Sequence, residues 1–147
     1  MILKSFEIEK INISKNNYYL FYGENSGYKK EIIEKKFKSE FNENTFNYDE
    51  NEILKDENKF FDQILTKSFF DKQKLILIFR TTDKLLKIIK EIIEREIDDV
   101  VFIFISEKLE KKSKIRSFFE KEKNLVCVPF YLDTYQSLSY LINNFFK

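Results

Sequence analysis

Four short runs of this chain are apolar at every position: Tyr18 to Tyr22, Leu75 to Phe79, Val100 to Ile105 and Leu125 to Val128. A strand with one solvated face alternates apolar and polar residues, whereas a strand covered on both faces has no place for a polar one. Between the runs, apolar residues recur every three to four positions, as on the buried face of a helix. One such set is Tyr28, Ile32, Ile33 and Phe37; a second is Ile53, Leu54, Phe60, Phe61, Ile64 and Leu65 within 51–67. A third is Leu85, Ile88, Ile89, Ile92, Ile93 and Ile97, followed by Ile115, Phe118 and Phe119. The alternation predicts an α/β fold, a mainly parallel sheet with helices on both faces.

The remaining segments fill in around this frame. Phe41 to Tyr48, polar and asparagine-rich around Thr45 to Tyr48, reads as a loop leading into a short outer strand, and Phe6 to Ile13, which alternates only partly, as an extended arm or edge strand. Asn25 or Ser26 caps the first helix and Thr82 or Asp83 the third. Pro129 stops the fourth apolar run, and Asp133 or Thr134 caps a last helix holding Leu138, Leu141, Ile142 and Phe145. With 147 residues, 43% apolar, the chain is long and apolar enough for one domain with a real core, and no repeat or linker divides it.

Composition removes several chemistries. Without a histidine there is no Ser-His-Asp catalysis and no imidazole metal ligand. The single Cys127 lies inside an apolar run, as an inert thiol in a reducing compartment does. A net charge of +1 gives no overall field to recruit nucleic acid or an anionic membrane. No apolar run approaches the ~20 residues that span a bilayer, and the charged first ten residues do not form a signal peptide. A cytoplasmic protein that recognises partners through local surface is expected.

Both glycines of the chain, Gly23 and Gly27, follow the first apolar run. A strand running through a glycine loop into a helix is the topology that cradles phosphate, because backbone N–H groups then face the negative charge. The chemistry does not follow the scaffold. The phosphate-loop pattern has four residues between its glycines, then Lys, then Ser or Thr for the metal. Here three residues separate the glycines, Tyr28 stands where Lys should follow, and Lys30 stands where the hydroxyl should be. Lys29 is the lysine left to neutralise phosphate if the site is active. The stretch reads as a relic or a purely structural turn, with an active nucleotide-binding enzyme domain as the alternative. No cofactor and no metal are expected.

Residues just after each strand are the remaining candidates, since ligands of open parallel sheets lie at the strands' carboxyl ends. Asp83 and Glu107 fall a residue or more beyond the position of a magnesium-holding carboxylate and read as helix caps or solvated charges. The basic run from Lys108 to Arg116 is diluted by Glu107, Glu110 and Glu120 and lacks interleaved aromatics, so it reads as a solvated helix start. Ser68-Phe69-Phe70-Asp71 differs. Two consecutive aromatics just before a strand are either an exposed apolar knob for a partner's pocket or caps of the core.

Several stretches together resemble the delta subunit of the bacterial DNA polymerase III clamp loader, specifically its N-terminal domain. They are Tyr19 to Gly27, Leu65 to Phe70 ahead of Lys74 to Ile78, Val100 to Arg116, and Phe118 to Tyr131. The resemblance implies a three-layer ATPase-like fold of the P-loop/AAA+ kind that has lost nucleotide binding, matching the broken loop at Gly23, Gly27 and Lys29. It also implies a non-catalytic part of a polymerase holoenzyme that binds and helps open the ring-shaped sliding clamp. The apolar pair doing so corresponds to Phe69 and Phe70, beside Ser68; the family's first residue is often Leu, where this chain has Phe. Other loader subunits are implied partners through lid and collar domains beyond these residues, with DNA reached only indirectly.

Overall fold

The computed structural model describes residues 1–41, 44–66, 73–132 and 142. Five parallel strands form one sheet: β1 (Tyr18–Tyr22), β2 (Thr45–Asp49), β3 (Lys74–Phe79), β4 (Val100–Ile105) and β5 (Leu125–Pro129), in the order β2-β3-β4-β1-β5. β1, an interior strand, pairs on both sides, Tyr19 lying opposite Ile103 of β4 and Val126 of β5. That position explains why it contains no residue suited to water.

Alternate residues of β1, β3, β4 and β5 enter two separate cores. Leu20, Tyr22, Ile76, Ile78, Phe102, Phe104 and Cys127 face one side. Tyr19, Phe21, Leu75, Leu77, Val101, Ile103, Val126 and Val128 face the other. The first side is covered by α3 (Glu50–Lys55), α4 (Glu57–Leu65), α5 (Leu86–Glu94) and α6 (Lys114–Lys121). The second is covered by α1 (Ser26–Ile32), which runs through a π-helical stretch, Ile33–Lys38, into the single turn α2 (Ser39–Phe41). Connection handedness explains the split. The β1-to-β2 connection travels across the sheet in one direction and the later three in the other, so right-handed crossovers put them on opposite faces. Phe37, fully buried, locks α1 down with ring centroids 5.0 Å from Tyr19 and 5.7 Å from Phe21.

Three expectations are corrected. Phe6 to Ile13 is not an extended arm but two 3-10 turns, Ser5–Lys10 and Ile13–Lys15, that bury Ile8 and Ile13 in the second core. Ile8 and Ile11 are spaced by three, the 3-10 period, and the Ile11 N–H donates to Ile8 O at 3.2 Å. The edge pairing comes earlier, where the Leu3 N–H donates to Cys127 O at 2.9 Å and the Cys127 N–H to Met1 O at 2.8 Å. The single helix expected over 51–67 is two. Asp56 leaves the helical conformation and its carboxylate accepts the Lys59 N–H at 3.0 Å, starting α4 as an N-cap. Leu65, expected on the apolar face, is 43% exposed. Of the last helix, Leu138, Leu141 and Phe145 lie outside the described residues, and Ile142, expected to cover the sheet, is exposed.

Candidate functional site at the carboxyl ends of the strands

Gly23 leaves β1 with φ of 120°, and a Cβ there would lie 2.1 Å from the Phe130 carbonyl oxygen, so only glycine fits. Gly27 has no such constraint: its Cβ would meet only Asn25 Oδ1, at 3.9 Å. Phe130 closes the loop from the far side, its N–H donating to Tyr22 O at 2.6 Å and its carbonyl accepting the Asn25 N–H at 3.1 Å.

Five backbone N–H groups of the loop and the helix start, those of Gly23, Asn25, Ser26, Tyr28 and Lys29, are engaged by the protein itself. The Gly23 N–H donates to Glu107 O at 2.9 Å, the Ser26 N–H to Glu24 O at 2.9 Å and the Lys29 N–H to Asn25 O at 3.2 Å. Asn25 caps α1 by accepting the Tyr28 N–H at 3.2 Å on Oδ1. Lys29 turns inward, 5% exposed, and its ammonium donates to Gly23 O at 2.7 Å and Ser106 O at 2.8 Å. Burial holds its pKa below the usual lysine value, with the Glu107 charge acting against the shift. A phosphate cradle aims N–H groups at an anion; this loop aims carbonyl oxygens at a cation. Lys29 and Gly23 are thus brought together, but as a closed structural contact.

The four residues after β3 form a hub, of which the sequence predicts only a helix cap at Thr82 or Asp83. Arg80, at a left-handed φ of 55°, pairs with Asp49 at the end of β2. Thr81 is buried, donates its hydroxyl to Ile78 O at 3.0 Å, and accepts Ser106 Oγ on its carbonyl at 2.7 Å. Thr82 caps the next helical turn, and its N–H and hydroxyl donate to the buried carboxylate of Glu50 at 2.8 and 2.9 Å. Asp83, expected to cap its own helix or to be solvated, instead accepts Ser113 Oγ at 2.8 Å and the Ile115 N–H at 3.0 Å, holding the start of α6. Burial pushes the Asp83 carboxyl up, but bonds from Ile115, Ser113 and Lys114 outweigh it and hold the pKa below the ordinary aspartate value. The available signal was four consecutive polar residues, Arg-Thr-Thr-Asp, directly after an apolar strand.

Beside the hub lies a cleft of about 590 Å³, floored by Leu77, Phe79 and Ile105 and walled by Lys30, Ile33 and Lys38. Its charges are mixed, and among the described residues no group of three Asp, Glu, His or Cys side chains is placed to hold a metal. Three cations of the basic run have carboxylate partners, Lys108 being 4.0 Å from Glu24. Lys112 pairs with Glu110 at 3.3 Å, and Arg116 donates to Glu120 at 2.7 Å and Leu109 O at 2.9 Å while lying over the Tyr22 ring. Ser113 caps the helix that follows, its side chain accepting the Arg116 N–H. Ser68, Phe69 and Phe70 lie outside the described residues. No helix among the described residues is long and apolar enough to cross a membrane.

No curated protein matches the chain. Among solved structures it is similar to the DNA clamp loader delta protein of Bacillus subtilis, with a TM-score of 0.66 at 16% identity, over 95% of this chain and 46% of that one. This chain thus spans about half the length of that protein, and the likeness is one of fold. A family model described as DNA polymerase III, delta subunit, matches residues 19–128, three quarters of the chain. The chain belongs to the DNA polymerase III delta-subunit family.

Proposed function

We propose that this chain is the N-terminal, ATPase-like domain of a clamp-loader delta subunit, working in DNA replication by protein contact and not by catalysis. The observation that carries the reading is the closed glycine loop. With the N–H groups of Gly23, Asn25, Ser26, Tyr28 and Lys29 bonded internally and the Lys29 ammonium seated on Gly23 O and Ser106 O, the loop is closed by the protein itself where a phosphate cradle is open. A subunit that does not hydrolyse nucleotide contributes to opening a ring only by binding the open form more tightly than the closed one. The residues proposed to make that contact are Phe69 and Phe70 beside Ser68, acting as an apolar knob in a pocket of the sliding clamp. The other partners are the remaining loader subunits, with DNA reached only indirectly, and the site of action is the cytoplasm.

The test is affinity for the cognate sliding clamp, measured by surface plasmon resonance for the wild type, Phe69→Ala and Phe70→Ala. Anchors of this kind cost ~2–4 kcal/mol when truncated, so each variant is expected to bind about thirtyfold or more weakly with an unchanged unfolding midpoint. Phe70→Ala binding the clamp normally while unfolding much more easily refutes the assignment and makes Phe70 a core residue. A magnesium-dependent thermal shift with ATP would restore the alternative of an active nucleotide-binding domain.

A further inference from the structure

Residues 1–3 lie along the outer edge of β5. The Cys127 N–H donates to Met1 O at 2.8 Å, Cys127 O accepts the Leu3 N–H at 2.9 Å, and Ile2 forms a parallel bridge with Cys127 between them. β5 ends the strand order, and a bare sheet edge presents unpaired N–H and C=O groups to any other chain. The α-ammonium of Met1 then reaches the end of α6. It donates to Phe119 O at 2.9 Å, Glu122 O at 2.9 Å and Leu125 O at 2.8 Å, with Glu120 O at 3.5 Å. Phe119 and Glu120 are in the last turn of α6, and Glu122 is its C-cap. The final carbonyls of a helix have no partner within it and carry the negative end of its dipole. An ammonium answers both needs, since it is a cation with three N–H donors and three carbonyl oxygens stand within 2.9 Å of it.

We propose that the Met1 nitrogen is a modification-sensitive fastener of the sheet edge: an acyl group on it, formyl or acetyl, releases residues 1–3 from α6 and bares Cys127 on β5. The amide so formed has no charge and one N–H in place of three, so at least two of the three carbonyls lose their donor. The acyl carbon and oxygen would also have to fit among the carbonyl oxygens that already surround the nitrogen. Hydrolysis of an N-formyl amide takes up one water, releases formate and leaves the acid's proton on the amine, which restores the ammonium. The deformylated Met1 is therefore the form that closes the edge.

The experiment compares three forms of the chain, each identified by its intact mass: a free amine on Met1, N-formyl on Met1, and a Gly-Ser dipeptide joined ahead of Met1, which likewise turns its nitrogen into an amide. Amide hydrogen exchange is read residue by residue. In the formyl and extended forms, the Leu3 and Cys127 amides are expected to exchange roughly tenfold or more faster than in the free-amine form, with β3 and β4 unchanged. Exchange within about twofold at those amides in both forms overturns the proposal. An effect confined to one of the two forms overturns the role given to the ammonium, since both forms lose it. Exchange that rises equally throughout the sheet, with no excess at Leu3 and Cys127, marks a general loss of stability and also overturns the proposal.

Discussion

Lys29→Met keeps the length and most of the apolar volume of the side chain and deletes its ammonium. In the structure that ammonium makes two hydrogen bonds, at 2.7 and 2.8 Å, to carbonyl oxygens on the β1 and β4 loops. A hydrogen bond to a charged group contributes ~1.5–3 kcal/mol net, and the desolvation visible in the lowered pKa offsets part of the pair's sum. A loss of about 2–3 kcal/mol is therefore expected, which for a chain of this size lowers the melting temperature by roughly 5–10 °C. The assay is urea denaturation followed by far-UV circular dichroism, with thermal scans in the presence and absence of ATP and magnesium. A phosphate-binding lysine behaves in the opposite way. Its removal leaves the free protein as stable as before and abolishes a ligand-induced gain of ~2.7 kcal/mol at a hundred times the dissociation constant. An unchanged urea midpoint in Lys29→Met, together with nucleotide stabilisation of the wild type that the variant lacks, refutes the reasoning.

Gly23→Ala puts a Cβ against the Phe130 carbonyl at a positive φ and is expected to cost at least ~3 kcal/mol, whereas Gly27→Ala in the first turn of α1 is neutral or stabilising by up to ~1 kcal/mol; denaturation midpoints of the two variants read the contrast directly. The Asp83 carboxyl has a depressed folded-state pKa, so its stabilisation is fully present above the unfolded value of ~3.9 and is lost as pH falls through the folded value. Unfolding free energy measured from pH 6 to pH 2 (~ acid range of carboxylates) is expected to fall less steeply in Asp83→Asn, and an unaltered slope rejects the role given to Asp83. Burial pushes the Cys127 thiol up to about 12, so alkylation at mildly basic pH is expected to follow global unfolding. Labelling under native conditions at the rate of a free thiol contradicts the placement of Cys127 in the core.

The sheet was legible in the sequence because its chemistry is one-sided. Val100 to Ile105 and Leu75 to Phe79 leave no position for water, and only a strand covered on both faces tolerates that. Asn25 and Thr82 were readable as caps, since a short polar side chain before an apolar helical pattern has a local mechanism. Asp56 has the same mechanism, yet the apolar period continues on both sides of it, and period alone does not report a break. Lys29 and the Arg80 to Asp83 hub were not legible in their roles. Their partners, Ser106, Asp49, Glu50 and Ser113, are distant in sequence and come near only once the strand order is set. In Phe6 to Ile13 a partial alternation matched two periods, and burial of Ile8 and Ile13 under the second face favoured the tighter turn.

Strand β3 has Lys74 at one end and Arg80 just beyond the other. Its six residues span about 20 Å at ~3.3 Å per residue. It is paired on both sides, with β2 and with β4. A pull applied along such a strand loads its two ladders in shear, so the hydrogen bonds share the force and do not open one after another. A force applied at the Lys74 end would therefore be delivered to the far end of β3 with little stretching. There the side chains of Arg80, Thr82 and Asp83 pass it to β2, α3 and α6 together. The sheet is in this sense a stiff tie rod, and its distal fastening is the polar hub.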